Sequence, residues 1–96
     1  MTEKQEQVAV QIIVHGAVQG VGFRYFTCRN ASRLGVVGWV RNAYNGTVEI
    51  QAEGTQVKLQ QLINQVRQGP GHAHVTKLAL AWQNSTGQFH TFGIRY

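Results

Sequence analysis

Acidic side chains are scarce in this 96-residue sequence: aspartate does not occur, and the four acids are all glutamates. Glu3 and Glu6 fall in a polar N-terminal segment, so Glu49 and Glu53 are the carboxylates left for the body of the chain. Glycosidases with paired carboxylates, enzymes that form an aspartyl phosphate and magnesium sites held by carboxylates all need more acids than this. The sequence therefore excludes these three classes of chemistry.

Cysteine and long apolar runs are equally rare. Cys28 is the one cysteine, so no internal disulfide can form, and no apolar run approaches the roughly 20 residues that span a bilayer. The N-terminal segment lacks the basic and apolar regions of a secretory signal. We expect one domain over residues 8–96, preceded by a disordered or loosely ordered tail over residues 1–7. We also expect a cytoplasmic monomer that does not associate with membranes.

Positive charge, by contrast, is in excess. Nine Lys and Arg residues against the four glutamates give a formal net charge of +5. Such an excess favours an anionic partner, whether a phosphorylated small molecule, a nucleic acid or an acidic surface. Charge alone does not choose among them. Hydrophobic residues make up 43% of the chain, which is enough for a globular core and argues against disorder.

The spacing of apolar residues predicts elements in the order β-α-β-β-α-β-β. Apolar residues recur at every second position in the strands and at helical spacing in the helices. Strands are predicted over residues 8–14, 36–42, 47–53, 75–82 and about 92–96, and helices over residues 23–34 and 56–68. This order fits a split βαβ arrangement of the α+β class, an antiparallel sheet of four or five strands with both helices on one face.

Local signals mark where several of these elements begin and end. Gly35 is a candidate C-cap for the first helix and Thr55 a candidate N-cap for the second. Asn45-Gly46 predicts a hairpin between the second and third strands. In the third strand the alternation places Glu53 on the polar face, opposite the apolar face.

A glycine-rich loop, Gly16 to Arg24, joins the first strand to the first helix. Its glycines permit backbone angles at which successive N–H groups converge on an anion. The helix that follows adds unpaired N-terminal N–H groups and the positive end of its dipole, and Arg24 adds a guanidinium that can grip two phosphate oxygens. The loop suits a phosphoryl group, although a plain strand–helix connection with a surface arginine has the same pattern.

Two other phosphate motifs are excluded at this loop. A P-loop would end in Gly-Lys-Ser/Thr, whereas this loop ends in Gly-Phe-Arg. The dinucleotide fingerprint would need glycine at position 25, which is Tyr25, and an acid near residue 40.

Asn42 is the second candidate for chemistry, at the end of the second strand beside the predicted hairpin. In a split βαβ fold this strand can lie near the loop after strand one. The Asn42 carboxamide can hold a water, because its oxygen accepts a hydrogen bond and its nitrogen donates one. Asparagine is also common beside hairpins, so a plain turn residue is the alternative interpretation.

Two stretches of the sequence together resemble the acylphosphatase family. Residues 16–24 fit its pattern Gly-x-Val-Gln-Gly-Val-x-Phe/Met-Arg at every place. Residues 38–54 fit its second pattern, Gly-Phe/Tyr/Trp-x-x-Asn-x-x-x-Gly-x-Val-x-x-x-x-x-Gly. Gly-Pro near residue 70 and the ending Ile94-Arg95-Tyr96 also resemble the family, so the likeness covers nearly the whole chain from Val8.

The resemblance implies a ferredoxin-like α/β sandwich, βαββαβ with an additional C-terminal strand, and hydrolysis of acyl phosphates to carboxylate and inorganic phosphate. It assigns two catalytic residues, Arg24 to bind the phosphoryl group and Asn42 to position the attacking water. The loop amides would form the substrate-binding cradle: Gln19, Gly20, Val21, Gly22 and Phe23. It also implies a small-molecule acyl phosphate as the partner, without metal, other cofactor or nucleic acid. Ala43 stands where some members carry a hydroxyl residue, a departure expected to tune the rate without abolishing activity.

A nucleic-acid-binding module and a regulatory acylphosphatase-like domain are the competing hypotheses. The element order and the net charge of +5 also suit an RNA-recognition fold, which stacks bases on aromatic residues. The third predicted strand has no aromatic residue and carries two acids, which counts against that fold. A regulatory domain would bind without turnover, and two intact motifs disfavour it.

Other residues have plainer interpretations. Cys28 falls in mid-helix and lacks the arginine six residues later that a cysteine phosphatase needs, so a partly buried thiol is expected. His72 and His74 have no nearby Cys or acid to complete a metal site and are expected to be exposed. His15 lies beside the glycine-rich loop and is a weak candidate for a catalytic role. Three aromatic residues are expected to pack in the core or at an edge: Trp39, Phe92 and Tyr96.

Overall fold

The computed structural model describes residues 6–96, which form two helices and a five-stranded sheet. The elements are β1 (Gln7–Ala17), α1 (Phe23–Leu34), β2 (Val37–Asn42), β3 (Val48–Thr55), α2 (Gln56–Gln68), β4 (His74–Asn84) and β5 (Phe92–Arg95). Both helices have the predicted bounds, and the strands lie within a few residues of theirs. Residues 1–5 of the expected tail lie outside the described residues, and Gln7 already belongs to β1. Neither helix is long and apolar enough to cross a membrane.

The strands lie in the order β4-β1-β3-β2-β5, and the fold is of the expected ferredoxin-like α+β type. The pairs β1–β4, β1–β3 and β2–β3 are antiparallel. The fifth strand departs from the expected antiparallel sheet because it pairs parallel to β2. Residues 85–91 carry the chain from β4 at one edge to β5 at the other. As a result, β5 runs opposite to the strand before it and parallel to its neighbour.

One face of the sheet carries both helices and holds the core. The inward residues of β1 and β3 stand side by side in the ladder and are all fully buried: Val10, Ile12, Val14, Val48, Ile50 and Ala52. The apolar stripe of α2 is also fully buried: Leu59, Leu62, Ile63 and Val66. Removal of this apolar surface from water, at about 25 cal/mol per Å², is the main stabilising contribution.

Both predicted helix caps are confirmed. Gly35 ends α1 with φ of 76°, and its N–H donates to the carbonyl of Ser32 at 3.1 Å. The next N–H, that of Val36, donates to the carbonyl of Ala31 at 2.9 Å, which completes a Schellman-type end. At the start of α2, the hydroxyl of Thr55 accepts a hydrogen bond from the N–H of Lys58 at 3.3 Å.

Glu53 is a buried carboxylate that the strand pattern did not foresee, since it is only 2% exposed. The segment that crosses to β5 covers it and supplies donors. Its carboxylate accepts from the hydroxyls of Ser85 at 2.9 Å and Thr86 at 2.7 Å, and from the N–H groups of Thr86 at 3.1 Å and Gly87 at 3.2 Å. Burial raises the pKa of Glu53, but the hydrogen bonds outweigh it, so the pKa lies below its ordinary value. Glu53 thus holds the crossing segment in place.

Candidate active site

The C-terminal ends of three strands lie together at one end of the sheet. Strands β1, β2 and β5 run in the same direction, so their C-terminal ends lie together. The loop of residues 18–22 follows β1, Asn42 is the last residue of β2, and Tyr96 follows β5. Strand pairing therefore brings together groups that are far apart in the sequence.

The loop of residues 18–22 has a backbone shaped by its glycines. Gly20 and Gly22 have φ of 75° and 78°, in the left-handed region that side chains disfavour. Gly22 is the N-cap of α1, and it offers the helix no side-chain hydrogen bond. The first turn of α1 contains no acidic residue, and the N–H of Phe26 donates to the carbonyl of Gly22 at 3.0 Å.

This backbone leaves a run of donors available. The N–H groups from Gln19 to Tyr25 make no hydrogen bond to any residue in the described range 6–96. They lie at the N-terminus of α1, where the helix dipole is positive. Unpaired amides at such a place form a binding site for an anion.

A cavity of about 280 Å³ opens beside these amides, and Arg24 and Asn42 both line it. The remaining wall comprises Val18, Gly20, Gly22, Phe23, Tyr25, Ile94 and Tyr96. Phe23 is 2% exposed and packs edge-to-face on Phe26, with ring centroids 5.9 Å apart. This packing fixes the first turn of α1 and, with it, the base of the Arg24 side chain.

Arg24 is available to bind an anion. Within residues 6–96 the one salt bridge joins Arg41 and Glu49, so no carboxylate of this part of the chain neutralises Arg24. Its guanidinium lies over the Tyr96 ring, and its side-chain N–H groups make no hydrogen bond within residues 6–96. A guanidinium in this state can form two parallel hydrogen bonds to phosphate oxygens.

Hydrogen bonds within the turn that follows Asn42 stabilise that turn. The N–H of Ala43 donates to the carbonyl of Thr47 at 2.9 Å, and Asn45 Oδ1 accepts from the hydroxyl of Thr47 at 2.7 Å. No side-chain hydrogen bond among residues 6–96 involves Asn42. The Asn42 carboxamide therefore remains free to hold a water or a ligand in the cavity.

The predicted cradle residues occupy three kinds of position. Gly20, Gly22 and Phe23 line the cavity with Arg24 and Asn42. Val21 is partly buried against the core. Gln19 instead lines a second, adjacent cavity of about 690 Å³. The other residues around that cavity are Arg41, Asn42, Ala43, Tyr44, Asn45, Glu49 and Tyr96, so Asn42 and Tyr96 border both spaces.

The expectation that Tyr96 packs in the core or at an edge is wrong. Tyr96 is 98% exposed and lines both cavities. The alternation of Phe92, Ile94 and Tyr96 indicated an inward position, but β5 ends at Arg95, and the alternation stops with it. Phe92, which lies within β5, is buried as expected.

The remaining candidates lie away from the two cavities. Cys28 is partly buried in α1, and its thiol donates to the carbonyl of Phe92 at 3.4 Å. His72 and His74 are exposed, and His15 pairs with Lys77 between β1 and β4. In the described part of the chain, no group of three or more His, Cys, Asp or Glu side chains is arranged to hold a metal ion.

Several known acylphosphatases are similar to this chain in sequence and in fold. The acylphosphatase family model matches residues 10–94. The chain is similar to an acylphosphatase of Salinibacter ruber, 43% identical over 94 residues, which are 98% of this chain and 97% of the relative. An acylphosphatase of Bifidobacterium longum is 46% identical over 80 residues, 83% of this chain and 82% of the relative. The crystal structure of acylphosphatase from Bacillus subtilis superposes with a TM-score of 0.90 at 40% identity, covering 93% of this chain and 99% of that one.

Proposed function

The chain belongs to the acylphosphatase family and is an enzyme of acyl phosphate hydrolysis, and from that premise we propose how its residues carry out the reaction. Arg24 and the loop amides bind the phosphoryl group, and Asn42 holds the water that attacks it. One observation supports this most. Arg24 and Asn42 line one cavity, beside N–H groups that make no hydrogen bond within the described chain.

The loop and Arg24 would stabilise the charge of the transferring phosphoryl group. Its negative charge spreads over three oxygens during displacement, so catalysis depends on positioned donors. The amides from Gln19 to Phe23 and the Arg24 guanidinium are such donors, and Gly20 and Gly22 hold their backbone angles before substrate arrives.

Asn42 would supply the nucleophile. Its carboxamide oxygen accepts a hydrogen bond from a water, and its nitrogen can donate one. Held in line with the breaking P–O bond, that water reacts as part of a single complex, which removes much of the entropic cost of a bimolecular step.

The leaving group needs little help from the protein, because the acyl carboxylate is already stable as an anion. Attack by water breaks the bond between phosphorus and the acyl oxygen and yields a carboxylate and inorganic phosphate. One proton of the attacking water passes to a phosphate oxygen, and the other stays on the water oxygen, which becomes part of the inorganic phosphate. We therefore assign no side chain as general base. Since Arg24 and the amides supply the positive field, we expect the reaction to need no metal or other cofactor.

Hydrolysis of benzoyl phosphate in the presence of EDTA tests the proposal. The wild-type protein should release inorganic phosphate with EDTA present, and added inorganic phosphate should inhibit competitively by occupying the cradle. Asn42→Ala should lower kcat by roughly 100-fold, the scale of a lost positioning effect, and leave the Ki of inorganic phosphate almost unchanged.

Asn64→Ala is the matched control, because Asn64 lies on α2, outside both cavities, and bonds with Gln60 on the same helix. It should keep the wild-type kcat. A folded Asn42→Ala protein with wild-type kcat would contradict the role of Asn42, and a requirement for added metal would contradict the metal-free mechanism.

A further inference from the structure

The Gln19 side chain connects the phosphate loop to the β2–β3 hairpin. Its Nε2 donates one hydrogen bond to the carbonyl of Ala43 at 2.7 Å and another to the carbonyl of Thr47 at 3.0 Å. Gln19 and these partners are 24 and 28 residues apart in the sequence. The contact therefore exists only in the folded chain.

Both acceptors already belong to the turn that follows Asn42. The carbonyl of Thr47 accepts from the N–H of Ala43 at 2.9 Å, and the carbonyl of Ala43 accepts from the N–H of Gly46 at 3.2 Å. A carbonyl oxygen has two lone pairs, so Gln19 takes the second position on each. The two N–H donors of Gln19 are thereby used within the protein, and its carboxamide nitrogen has none left for a substrate.

No other hydrogen bond links residues 18–22 to residues 42–47 within the described chain. The loop carries two glycines with left-handed φ, and the hairpin turn carries a third, Gly46, with φ of 89°. Strand pairing through Val48 fixes where the two segments begin. Glycine backbone is conformationally permissive, so beyond the paired strands the distance between the loop and the turn can still vary. The Gln19 carboxamide is the polar group that sets it.

We propose that Gln19 is a positioning residue that fixes the separation between the phosphoryl cradle and the water held by Asn42. Ala43, which Gln19 contacts, is the residue directly after Asn42 in the chain. The inference rests on the proposed function, since it takes Arg24 and the amides as the phosphoryl site and Asn42 as the water site. Without the bridge, each site still binds its own partner, but the distance from water to phosphorus is no longer held.

Gln19→Met is the variant that separates this role from substrate binding, because methionine has nearly the length of glutamine and lacks N–H donors. The backbone amide at position 19 remains in the cradle. A misplacement of about 1 Å can cost 100-fold in rate, so kcat for benzoyl phosphate should fall roughly 10- to 100-fold. The Ki of inorganic phosphate should stay within about twofold, since the amides and Arg24 are intact.

A double-mutant cycle with Asn42→Ala distinguishes positioning from a general loss of structure. In the Asn42→Ala protein no side chain at position 42 holds the water, so the distance between position 42 and the cradle no longer affects the rate. Adding Gln19→Met to this variant should therefore change kcat by less than about twofold. Gln61→Met is the matched control, because Gln61 is exposed on α2. Gln61→Met should leave kcat for benzoyl phosphate and the Ki of inorganic phosphate at wild-type values.

Each result decides the matter. Wild-type kcat in Gln19→Met, an equal change in kcat and Ki, or a full further loss in the Asn42→Ala background overturns the role of Gln19 while the proposed function stands. Wild-type kcat in Asn42→Ala overturns the proposed function and the inference with it. If Gln19→Met does not fold, Gln19→Asn replaces it. Its amide is one methylene too short to reach both carbonyls, and it should show the same loss of kcat at unchanged Ki.

Discussion

The guanidinium carbon of Arg24 lies 4.9 Å from the centroid of the Tyr96 ring. Arg24 stands in the first turn of α1, and Tyr96 follows β5, far from Arg24 in the sequence. Because β5 pairs parallel to β2, Tyr96 and Asn42 lie at the same end of the sheet. The ring can therefore limit the positions that the guanidinium takes at the mouth of the cavity.

Replacement of the Tyr96 ring should weaken phosphate binding modestly. An exposed cation–π contact corresponds to a factor of about two to five in affinity, so Tyr96→Leu should raise the Ki of inorganic phosphate by that factor. Tyr96→Phe keeps the ring and should behave as wild type. If both variants raise Ki equally, the hydroxyl and not the ring is responsible.

Loss of the Arg24 guanidinium should be far more severe. Arg24→Ala removes a donor to the charged phosphoryl group, and kcat/KM for benzoyl phosphate should fall by roughly 100- to 1,000-fold or more. Arg33→Ala is the control, since Arg33 lies in the last turn of the same helix. It should retain wild-type kcat/KM, whereas a folded Arg24→Ala protein with wild-type kcat/KM would refute the assigned phosphoryl site.

Gly22→Ala should affect stability and phosphate binding together. Gly22 has φ of 78°, and a Cβ there would meet no atom within 4 Å, so the cost is backbone strain alone. A left-handed alanine should lower the free energy of unfolding by about 1–2 kcal/mol in urea titrations. The Ki of inorganic phosphate should rise, because relief of the strain rotates the neighbouring amides.

Gly71→Ala is the matched control for Gly22→Ala. A Cβ at Gly71 would likewise meet no atom within 4 Å, but the φ of Gly71 is not in the left-handed region. Its free energy of unfolding should stay at or above the wild-type value. Equal losses in the two variants would show that left-handed strain is not the cause.

The Glu53 carboxylate should make stability depend on pH. Burial raises its pKa, but the hydrogen bonds from Thr86, Ser85 and Gly87 outweigh it, so the folded-state pKa lies below the ordinary 4.5. The resulting stabilisation is fully present above the unfolded-state pKa and is lost as pH falls through the folded-state pKa. At neutral pH, Glu53→Gln should lower the free energy of unfolding by about 1–3 kcal/mol.

Urea unfolding from neutral pH to about pH 3 checks the Glu53 prediction, since the difference between Glu53→Gln and wild type should shrink on the acid side. Glu49→Gln, which breaks the partly exposed pair with Arg41, should cost only about 0–1 kcal/mol. A difference between Glu53→Gln and wild type that does not change with pH would contradict the assignment to this carboxylate.

Helices, caps and the backbone of the glycine-rich loop were predictable because their causes are local. The apolar stripe of α2 and its Thr55 cap lie within one short segment, and the bounds of the helix follow from them. The left-handed angles of Gly20 and Gly22 likewise follow from residue type. The resemblance to the acylphosphatase family pointed to Arg24 and Asn42 from two short stretches, and both line the same cavity.

Relationships between distant segments were not predictable in this way. The strand pattern placed Glu53 on a polar face, and only the crossing segment of residues 85–91 explains why it is buried. The alternation toward Tyr96 indicated packing, whereas the ring stands over Arg24 in solvent. Periodicity reports which face of an element is apolar, but it carries no information about which element lies next to it.

The order of residues alone thus determined the elements, their caps, the amide-rich loop and the two side chains to which we assign the chemistry. Tertiary structure decided that β5 pairs parallel to β2, that Tyr96 meets Arg24, and that Gln19 reaches the turn after Asn42. The physical reason is the sequence distance between the residues that interact. Backbone angles and helix caps depend on neighbours in the sequence, whereas distances across the active site depend on how strands far apart in the chain pair in the sheet.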